Sequence, residues 1–287
     1  MSTIQAYTTA NRPTASASNV GLTIFNTTDN AINVSDGTNW RVYNSDASAQ
    51  YSLSSTTLSV DFDSTNSEYL KTDYATTDNT GFTYSAYIKS STTSTQLFID
   101  NYQDSNSGQL AFRVNGSGQY LLYYKITNGT TETLFNTSSY SASDLLDNAW
   151  HHLALSISGT SVKIYEDGSL KYTTALSNSY VAQSNALFRI GSNLGESAFY
   201  NGLMDEVAFF ERALTATEIS QIYNNQNYST PACHFRMGDG GSDTDSSGEA
   251  TAGEAVVAIN DISVNAFTAT QTTAANKPSY SSTVPTF

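Results

Sequence analysis

The chain of 287 residues has 12 Lys and Arg against 26 Asp and Glu, which gives a formal net charge of −14. A protein of this charge repels polyanions, which argues against general nucleic-acid binding. Apolar residues make up 39% of the chain and aromatic residues 12%, enough to build a core, and the abundance of Tyr, Thr, Ser and Asn favours an all-β, turn-rich protein. No stretch approaches the roughly 18 apolar residues that a membrane span needs.

The start of the chain and its cysteine content bear on the compartment in which it folds. Residues 1–7 have neither the basic nor the apolar region of a secretory signal peptide. The single cysteine, Cys233, cannot form a disulfide within the chain. We therefore expect the protein to fold in a reducing cytoplasm.

Residues 1–50 predict a small β module. Strand-like runs at residues 22–25, 31–34 and 40–43 are separated by turn residues, as in a three-stranded meander. So few residues bury too little surface to be stable alone. We expect the module to serve attachment or oligomerisation, with a simple N-terminal extension as the alternative.

Residues 51–228 predict the main domain. Apolar and polar side chains alternate over residues 58–63 and 82–89, which is typical of half-buried strands. The pair Asp167-Gly168 indicates a tight hairpin turn. Strands that recur about every 8–12 residues with turn signals between them indicate a β-sandwich.

One helix is predicted near the end of this domain, and a change in composition follows it. Thr215 and Glu218 have the spacing of a capping box at the helix start. Residues 229–287 are dominated by Gly, Ser, Thr and Ala, with strand-like pieces such as residues 255–259. We interpret them as an irregular, β-rich C-terminal appendage that is peripheral to the core.

Short segments of the main domain follow one another in a specific order. They are LSVDFD (58–63), FTYSAYIK (82–89), WHHLAL (150–155), VKIYEDG (162–168), FRIG (188–191) and NGLMDEVAFF (201–210). In this order and spacing they resemble the laminin-G-like, concanavalin-A-like jelly-roll family. The resemblance implies a jelly-roll β-sandwich.

The flanks of the main domain carry a narrower resemblance. Residues 21–40, and the tail segments FRMGD (235–239), DIS (261–263) and PSYSS (278–282), resemble parts of tailed-phage structural proteins that contain a laminin-G-like domain. This resemblance implies a place on the exterior of a virion. Cytoplasmic folding without disulfides and a polar, mostly uncharged surface fit such a place.

The most informative carboxylate is Asp205, which is in phase with apolar residues of its predicted strand. A buried carboxylate needs a metal, a cation or several hydrogen-bond donors. The family resemblance implies a structural Ca²⁺ near this strand, and Asp63, Asn66 and Glu68 could supply further oxygen ligands. The alternative is that Asp205 caps backbone amides.

A second oxygen-rich stretch has the spacing of a calcium-binding loop. Asp243, Asp245, Ser247 and Glu254 fall at loop positions 1, 3, 5 and 12, with Gly248 at position 6. The flanking residues do not predict helices, so a solvated turn is the favoured interpretation and a Ca²⁺ loop the alternative.

The remaining patterns predict neither a zinc site nor an enzyme. His151 and His152 are adjacent on a predicted strand and therefore point to opposite faces, while His234 has no further ligands at zinc spacing. The chain lacks the Glu-x-Asp-x-x-Glu strand of concanavalin-like glycosidases, and it lacks a Gly-x-Ser-x-Gly elbow. We therefore expect a non-enzymatic protein.

Aromatic side chains in predicted loops are candidates for stacking on sugar rings. Because most aromatic residues of a sandwich pack in its core, packing is the alternative for each of them. The candidates are Tyr102, Tyr120, Phe199 and Tyr200.

Together these patterns predict a non-enzymatic bacteriophage virion structural protein, a capsid decoration or fibre protein that folds in the host cytoplasm and is displayed on the exterior. The expected partners are other virion proteins and host-surface glycans, with a trimer favoured as the oligomer. Weak single sites suffice for glycan binding when many copies are displayed. The alternatives are a secreted or surface bacterial lectin and a virion-associated polysaccharide-degrading enzyme.

Overall fold

The computed structural model describes residues 5–8, 10–11, 13–19, 22–26, 31–35, 38–43, 49–51, 58–102, 108–126, 129–182, 186–193, 198–225, 228–238, 250–263, 265 and 267–286. In these ranges the chain forms 22 strands, the helix α1 (Ala216–Tyr223) and four 3-10 helices (Ala17–Asn19, Ser64–Asn66, Ser143–Leu145 and Ala274–Asn276). The strands are β1 (Gln5–Tyr7), β2 (Thr23–Asn26), β3 (Ala31–Ser35), β4 (Trp40–Tyr43), β5 (Ala49–Tyr51), β6 (Ser59–Phe62), β7 (Leu70–Thr72), β8 (Phe82–Lys89), β9 (Gln96–Asp100), β10 (Gln109–Val114), β11 (Tyr120–Lys125), β12 (Glu132–Leu134), β13 (His151–Ser158), β14 (Ser161–Glu166), β15 (Ser169–Ala175), β16 (Arg189–Ile190), β17 (Gly202–Phe210), β18 (Tyr228–Ser229), β19 (Cys233–Phe235), β20 (Ala258–Asn260), β21 (Thr268–Thr270) and β22 (Ser279–Ser281).

The chain divides into two compact units, Met1–Ser55 with Gln221–Thr230, and Thr56–Ser220 with Pro231–Phe287. The first unit contains a six-stranded sheet in the order β1-β2-β3-β4-β5-β18. Strands β2, β3 and β4 form an antiparallel meander, and β1 pairs with β2 in parallel.

The second unit is a sandwich of two antiparallel sheets, which confirms the predicted jelly-roll β-sandwich. Sheet I has the strand order β12-β11-β10-β9-β16-β7-β21-β20. Sheet II has the order β15-β14-β13-β8-β17-β6-β22, and β19 also pairs with β17. We call the side of each sheet that points away from the shared core its outward face.

Stacked aromatic rings occupy the core between the two sheets. Phe82 of sheet II lies parallel to Phe188, with ring centroids 5.6 Å apart, and Phe188 contacts Phe209 at 5.0 Å. Tyr74 contacts Phe209 at 5.1 Å. Contacts of this kind stabilise the fold beyond the burial of apolar area, by about 0.5–1.5 kcal/mol per pair.

The C-terminal segment is β-rich as predicted, but it is not peripheral. Strands β20 and β21 extend sheet I, and β19 and β22 pair within sheet II. Phe235, Ile259 and Tyr280 belong to the same apolar core as the main domain. The prediction of a peripheral appendage over 229–287 was wrong because β20, β21 and β22 each bury a single central residue, so no periodic apolar run marks them.

The hairpin turn and the helix start follow the sequence signals. Asp167 and Gly168 join β14 to β15 with φ values of 47° and 73°, the left-handed pair that suits a tight hairpin. Thr215 Oγ1 accepts a hydrogen bond from the Glu218 amide at 3.2 Å, and Glu218 Oε2 accepts one from the Thr215 amide at 2.8 Å. The predicted capping box is thereby confirmed. No helix in the described ranges has the length and apolar character needed to cross a membrane.

Candidate functional site

A transverse row of side chains crosses the outward face of sheet I. Strand pairing places its members directly opposite one another, and directly opposed residues share a face of the sheet. We call this set the polar row: Tyr123 on β11, Ala111 on β10, Asp100 on β9, Arg189 on β16, Lys71 on β7, Thr270 on β21 and Ala258 on β20.

Strand alternation shows that the polar row points away from the core. The chain neighbours Leu110, Ile99, Ile190 and Leu70 all belong to the core cluster. Because successive side chains of a strand point to opposite faces, the row residues next to them lie on the outward face.

The polar row is buried at two neighbouring positions and more exposed on either side of them. Ala111 and Asp100 are each only 2% exposed. Tyr123 and Arg189, on either side of them, are partly exposed, and Lys71 is exposed. Longer and more exposed side chains therefore lie on both sides of the buried pair Ala111 and Asp100.

Asp100 is a buried carboxylate within this row. Its Oδ1 accepts hydrogen bonds from the Tyr102 amide at 2.7 Å and from Gln109 Nε2 at 3.4 Å. Burial raises the pKa of Asp100 to about 6, although these hydrogen bonds and the nearby charges of Arg189 and Arg113 oppose the rise. The carboxylate is thus close to half-protonation in mildly acidic solution.

Arg113 and Tyr123 form a stacked pair beside Asp100. The guanidinium of Arg113 lies 4.6 Å from the centre of the Tyr123 ring, and its Nη2 donates a hydrogen bond to the Tyr123 hydroxyl at 2.7 Å. The Nε of Arg113 is buried and has no hydrogen-bond partner. The pair thus places a partly exposed aromatic ring beside a buried cationic donor that the described chain leaves unpaired.

Arg189 also holds unused donors. Its Nε and Nη1 are buried and have no hydrogen-bond acceptor in the described part of the chain. Buried polar groups of folded proteins are nearly always hydrogen-bonded, and an exception calls for an explanation. Arg189 is therefore the residue of the row with the most buried donors that the described chain leaves unpaired.

The sequence predicted sugar-stacking roles for four aromatic residues, and the structure separates them into two groups. Tyr102 follows Asp100 and is partly exposed. Phe199 is partly exposed and contacts Tyr69, over whose ring Lys71 Nζ lies at 5.4 Å. These two candidates lie beside the polar row.

The other two aromatic candidates are core residues, so their predicted loop positions were wrong. Tyr120 begins β11, is fully buried, and donates a hydrogen bond from its hydroxyl to Glu166 Oε1 at 2.5 Å. Tyr200 is fully buried and donates to the Leu203 carbonyl at 3.1 Å. Polar neighbours in the sequence made both look exposed, whereas packing between the sheets decides their position.

The four predicted ligands of the first calcium site do not come together. Asp63, Asn66 and Glu68 share one loop, where Asn66 Nδ2 donates to Asp63 Oδ2 and to Glu68 Oε1, both at 3.2 Å. Pairing of β6 with β17 places Asp205 level with Ser59, about 13 Å along the strand from Asp63 at 3.3 Å per residue. In the described part of the chain, no group of three or more His, Cys, Asp or Glu side chains could hold a metal.

The Asp63 loop is held together by its own hydrogen bonds. Asp63 Oδ1 accepts from the amide and the hydroxyl of Thr65, and these bonds lower the pKa of Asp63. Glu68 Oε2 accepts from the Asp63 amide at 2.6 Å, although burial raises the pKa of Glu68. The carboxylates thus face donors of their own loop, and calcium binding here stays a prediction.

A β-bulge reverses the predicted side-chain phase of Asp205. The register of β17 against β8 shifts between Asp205 and Ala208, and Glu206 adopts a left-handed φ of 50°. Asp205 pairs with Tyr87 and therefore faces outward, whereas Val207 beyond the bulge faces the core. Its Oδ1 accepts a hydrogen bond from the Glu206 amide at 2.7 Å, in agreement with the capping alternative.

The second calcium candidate falls mostly outside the described residues. This applies to Asp243, Asp245 and Ser247. Glu254 is described, and its Oε2 accepts hydrogen bonds from the amide and the hydroxyl of Thr251 at 3.2 and 3.1 Å.

Next to the bulge lies a closed ionic cluster, which we call the Glu206 cluster. Glu206 Oε2 is 2.6 Å from His234 Nε2, and Glu206 Oε1 accepts from Arg236 Nε at 3.0 Å. All three side chains are buried. Burial disfavours the charge of Glu206, but Arg236 and His234 outweigh it and lower the pKa of the carboxyl.

The two adjacent histidines lie in different environments, as predicted. His151 contacts Asp167 at 2.9 Å and Asp147 at 3.0 Å; the hydrogen bond to Asp167 contributes most to raising its pKa to about 9. His152 is fully buried against Ser85 Oγ at 2.8 Å, and burial lowers its pKa to about 4. Ser85 is itself only 1% exposed, so this pair has no access to a substrate.

A small cavity offers a second place for a ligand. It has a volume of about 210 Å³, below the range typical of drug-sized ligands. Its lining combines an aromatic ring with carboxylate, hydroxyl and amide groups: Tyr124, Ile126, Thr130, Glu132, Ser177 and Asn178.

The sequence matches the family model described as the concanavalin A-like lectin/glucanases superfamily (Laminin_G_3) over residues 63–220, more than half of the chain. The chain belongs to this superfamily. No curated protein is similar enough in sequence to match it.

The chain is similar to solved structures at low sequence identity. A putative carbohydrate binding protein from Bacteroides ovatus has a TM-score of 0.52 and 18% identity, over 75% of this chain and 58% of that chain. Domain 4 of the arabinanase AbnA from Geobacillus stearothermophilus, in complex with arabinotriose, has a TM-score of 0.41 and 22% identity, over 50% of this chain and 66% of that chain. A pentraxin from Limulus polyphemus has a TM-score of 0.42 and 14% identity, over 60% and 83%.

Proposed function

We propose that this chain is a non-enzymatic glycan-binding protein whose sugar-binding surface is the polar row of sheet I. The observation that carries the proposal is the set of unused guanidinium donors on Arg189 and Arg113, beside the partly exposed ring of Tyr123. Sugars offer hydroxyl oxygens to such donors and apolar ring faces to aromatic side chains. Membership of a lectin-containing superfamily supports the proposal.

The state of the carboxylates supports a binding role over hydrolysis. A retaining glycosidase needs two carboxyl groups about 5–5.5 Å apart at the substrate. On β17, both oxygens of Glu206 contact His234 and Arg236, and Asp205 Oδ1 accepts a backbone amide. Their side chains are buried within the protein.

For its location, we propose display on the exterior of a bacteriophage virion, with the unit that contains residues 1–55 as the attachment or trimerisation device. The flanking segments that resemble phage structural proteins support this location. A secreted or surface bacterial lectin is the alternative, and the likeness to a bacterial carbohydrate binding protein supports it equally. The same polar row serves either location.

A glycan array probed with the full-length chain and three variants tests the binding surface. Tyr123→Ala removes the partly exposed ring and is expected to weaken glycan binding about tenfold, the equivalent of about 1.4 kcal/mol. Lys163→Gln is the control on β14 of sheet II, because Lys163 alternates with the core residues Val162 and Ile164 and so faces outward, far from the row. Asn178→Ala changes a residue that lines the cavity and so tests whether glycans bind there.

Two results would contradict the proposal, one for the surface and one for the function. Loss of binding in Asn178→Ala with normal binding in Tyr123→Ala would move the site to the cavity. Absence of binding to every glycan would remove the proposed function itself. Light scattering of the full-length chain tests the oligomer, since the proposal expects the mass of three 30.9-kDa chains.

A further inference from the structure

The outward strand positions of sheet I carry a net charge opposite in sign to that of the whole chain. Four of the 12 Lys and Arg residues occupy outward strand positions here: Lys71, Arg113, Lys125 and Arg189. At the outward positions of the described strands of sheet I, Asp100 is the one carboxylate. Charges beyond about 8–10 Å are screened at physiological salt, so this local excess governs a ligand held on the face despite the net charge of −14.

The free donors have the chemistry of an oxyanion site. A guanidinium is planar, always charged, and suited to paired hydrogen bonds with carboxylates and similar oxyanions. Arg189 makes no ion pair in the described part of the chain, and its Nε and Nη1 have no acceptor. Lys71, next to it in the row, is exposed and adds a second positive charge.

The neighbouring carboxylate does not take up the unpaired donors of Arg189. Asp100 is buried and already accepts hydrogen bonds from the Tyr102 amide and from Gln109, so it does not occupy Arg189. Its elevated pKa means that mild acid removes its negative charge. The face then becomes still more favourable to an anion.

We infer that the polar row binds acidic glycans, with Arg189 and Lys71 holding the anionic group of the sugar and Tyr123 lying against its ring. The inference rests on the proposed function and adds the class of ligand. The anionic group is a carboxylate, as in a uronic acid, or a sulfate ester; both present the same oxyanion geometry to a guanidinium.

The direct test compares each acidic glycan with a neutral form of the same polymer. Polygalacturonate and hyaluronan are measured beside their carboxyl-reduced derivatives, dextran sulfate beside dextran, by calorimetry or biolayer interferometry with the full-length chain. The inference expects the charged member of a pair to bind at least about tenfold more tightly, and its affinity to fall with added salt. The two carboxylated polymers and the sulfated polymer distinguish the two sources of the anionic group.

Variants of Arg189 and Lys71 test which side chains recognise the anionic group. Arg189→Lys keeps the charge but loses the planar fork, and is expected to weaken acidic-glycan binding about tenfold. Lys71→Gln is expected to weaken it several-fold, whereas Lys163→Gln on sheet II removes an equal charge and should leave it unchanged. Unchanged melting temperatures establish that the variants are folded. If Arg189→Lys does not fold, the affinity of Lys71→Gln for acidic glycans tests the inference.

The pH dependence gives a second readout that a purely structural role of Arg189 would not produce. The affinity for polygalacturonate is expected to rise as the pH falls from about 7.5 to about 5.5, because Asp100, with a pKa of about 6, loses its charge beside Arg189 and Arg113. Asp100→Asn should remove this pH dependence.

Each outcome separates the inference from the proposed function. Equal binding of charged and neutral forms, lost in Tyr123→Ala, would overturn the inference and keep the glycan-binding function. If the protein prefers the charged forms and neither Arg189→Lys nor Lys71→Gln changes its affinity, the polar row is not the binding site. Binding to none of the polymers would overturn both.

Discussion

Both sheets of the sandwich carry a cluster of charged side chains, but the two clusters differ in how their hydrogen-bonding groups are used. In the Glu206 cluster each carboxylate oxygen contacts its own partner, at 2.6 Å for His234 and 3.0 Å for Arg236. In the polar row, Arg189 and Arg113 keep buried nitrogens without hydrogen-bond partners. We call the first cluster closed because both Glu206 oxygens are paired within the chain, and the second open because of these guanidinium nitrogens.

The difference shows that burial of charge is not by itself a sign of a binding site. A paired buried charge fixes the local structure, since removing one partner leaves the other uncompensated. Donors that the chain leaves unpaired, in a side chain that is itself partly exposed, are a better sign of a binding site. Arg189 and Arg113 meet this criterion, and we therefore place the ligand at the polar row.

The largest expected effect comes from breaking the closed cluster. Glu206→Gln leaves Arg236 without its buried counter-charge and is expected to lower the free energy of unfolding by about 3–5 kcal/mol, measured by urea denaturation. The pKa of Glu206 is lowered in the folded state, so its contribution is present above the unfolded value of 4.5 and is lost as the pH falls through the folded pKa.

The control for this variant is Asp144→Asn, which breaks the exposed ion pair with Lys171. It is expected to leave the denaturation midpoint unchanged, because exposed ion pairs contribute little. If Glu206→Gln were as stable as Asp144→Asn, the cluster would not be the structural element described here.

A smaller effect, with the opposite sign, is expected in the open cluster. The folded pKa of Asp100 is raised from 3.8 to about 6, so its favourable contribution is fully present below pH 3.8 and is lost as the pH rises through 6. Asp100→Asn is neutral at every pH and should therefore raise the free energy of unfolding by about 1–3 kcal/mol near neutral pH. Denaturation at neutral pH and near pH 4 measures this, and a gain of the same size at both would contradict it.

The smallest effect is expected at His151, a partly exposed residue that belongs to neither cluster and lies between the carboxylates of Asp147 and Asp167. Its pKa is raised from 6.5 to about 9, chiefly by Asp167, so its stabilising contribution is present below 6.5 and is lost as the pH rises through 9. His151→Gln should flatten the fall in melting temperature over this interval. A wild-type melting temperature that does not change between these pH values would show that solvent screens the contacts.

The sequence predicted the elements whose signal is local. The alternating runs of β8 and β13, the Asp167-Gly168 hairpin and the capped helix α1 each need only neighbouring residues to be recognised. The short C-terminal strands lack such a signal, because each buries one residue and depends on pairing with distant strands.

The candidate site could not be predicted for a related reason. Arg189 lies on a strand of two residues, and its neighbours in the polar row come from distant parts of the chain. Only the strand register brings Asp100 and Lys71 to either side of it. Asp205 shows the converse case: one bulge, which no composition or periodicity signals, reversed the face to which its side chain was assigned.

The pairing of β22 with β6 has a consequence for how the protein is made. Ser59 Oγ donates a hydrogen bond to the Thr283 carbonyl, 224 residues later in the chain, and β21 likewise pairs with β7. Contacts between such distant residues are slow to form, because a long loop must close before any of them stabilises the fold. A ribosome that has released only the central strands therefore holds two sheets that still lack their closing strands. We expect the sandwich to reach its native state only after residues 279–281 have emerged, and its nascent chain to depend on being kept apart from other copies until then.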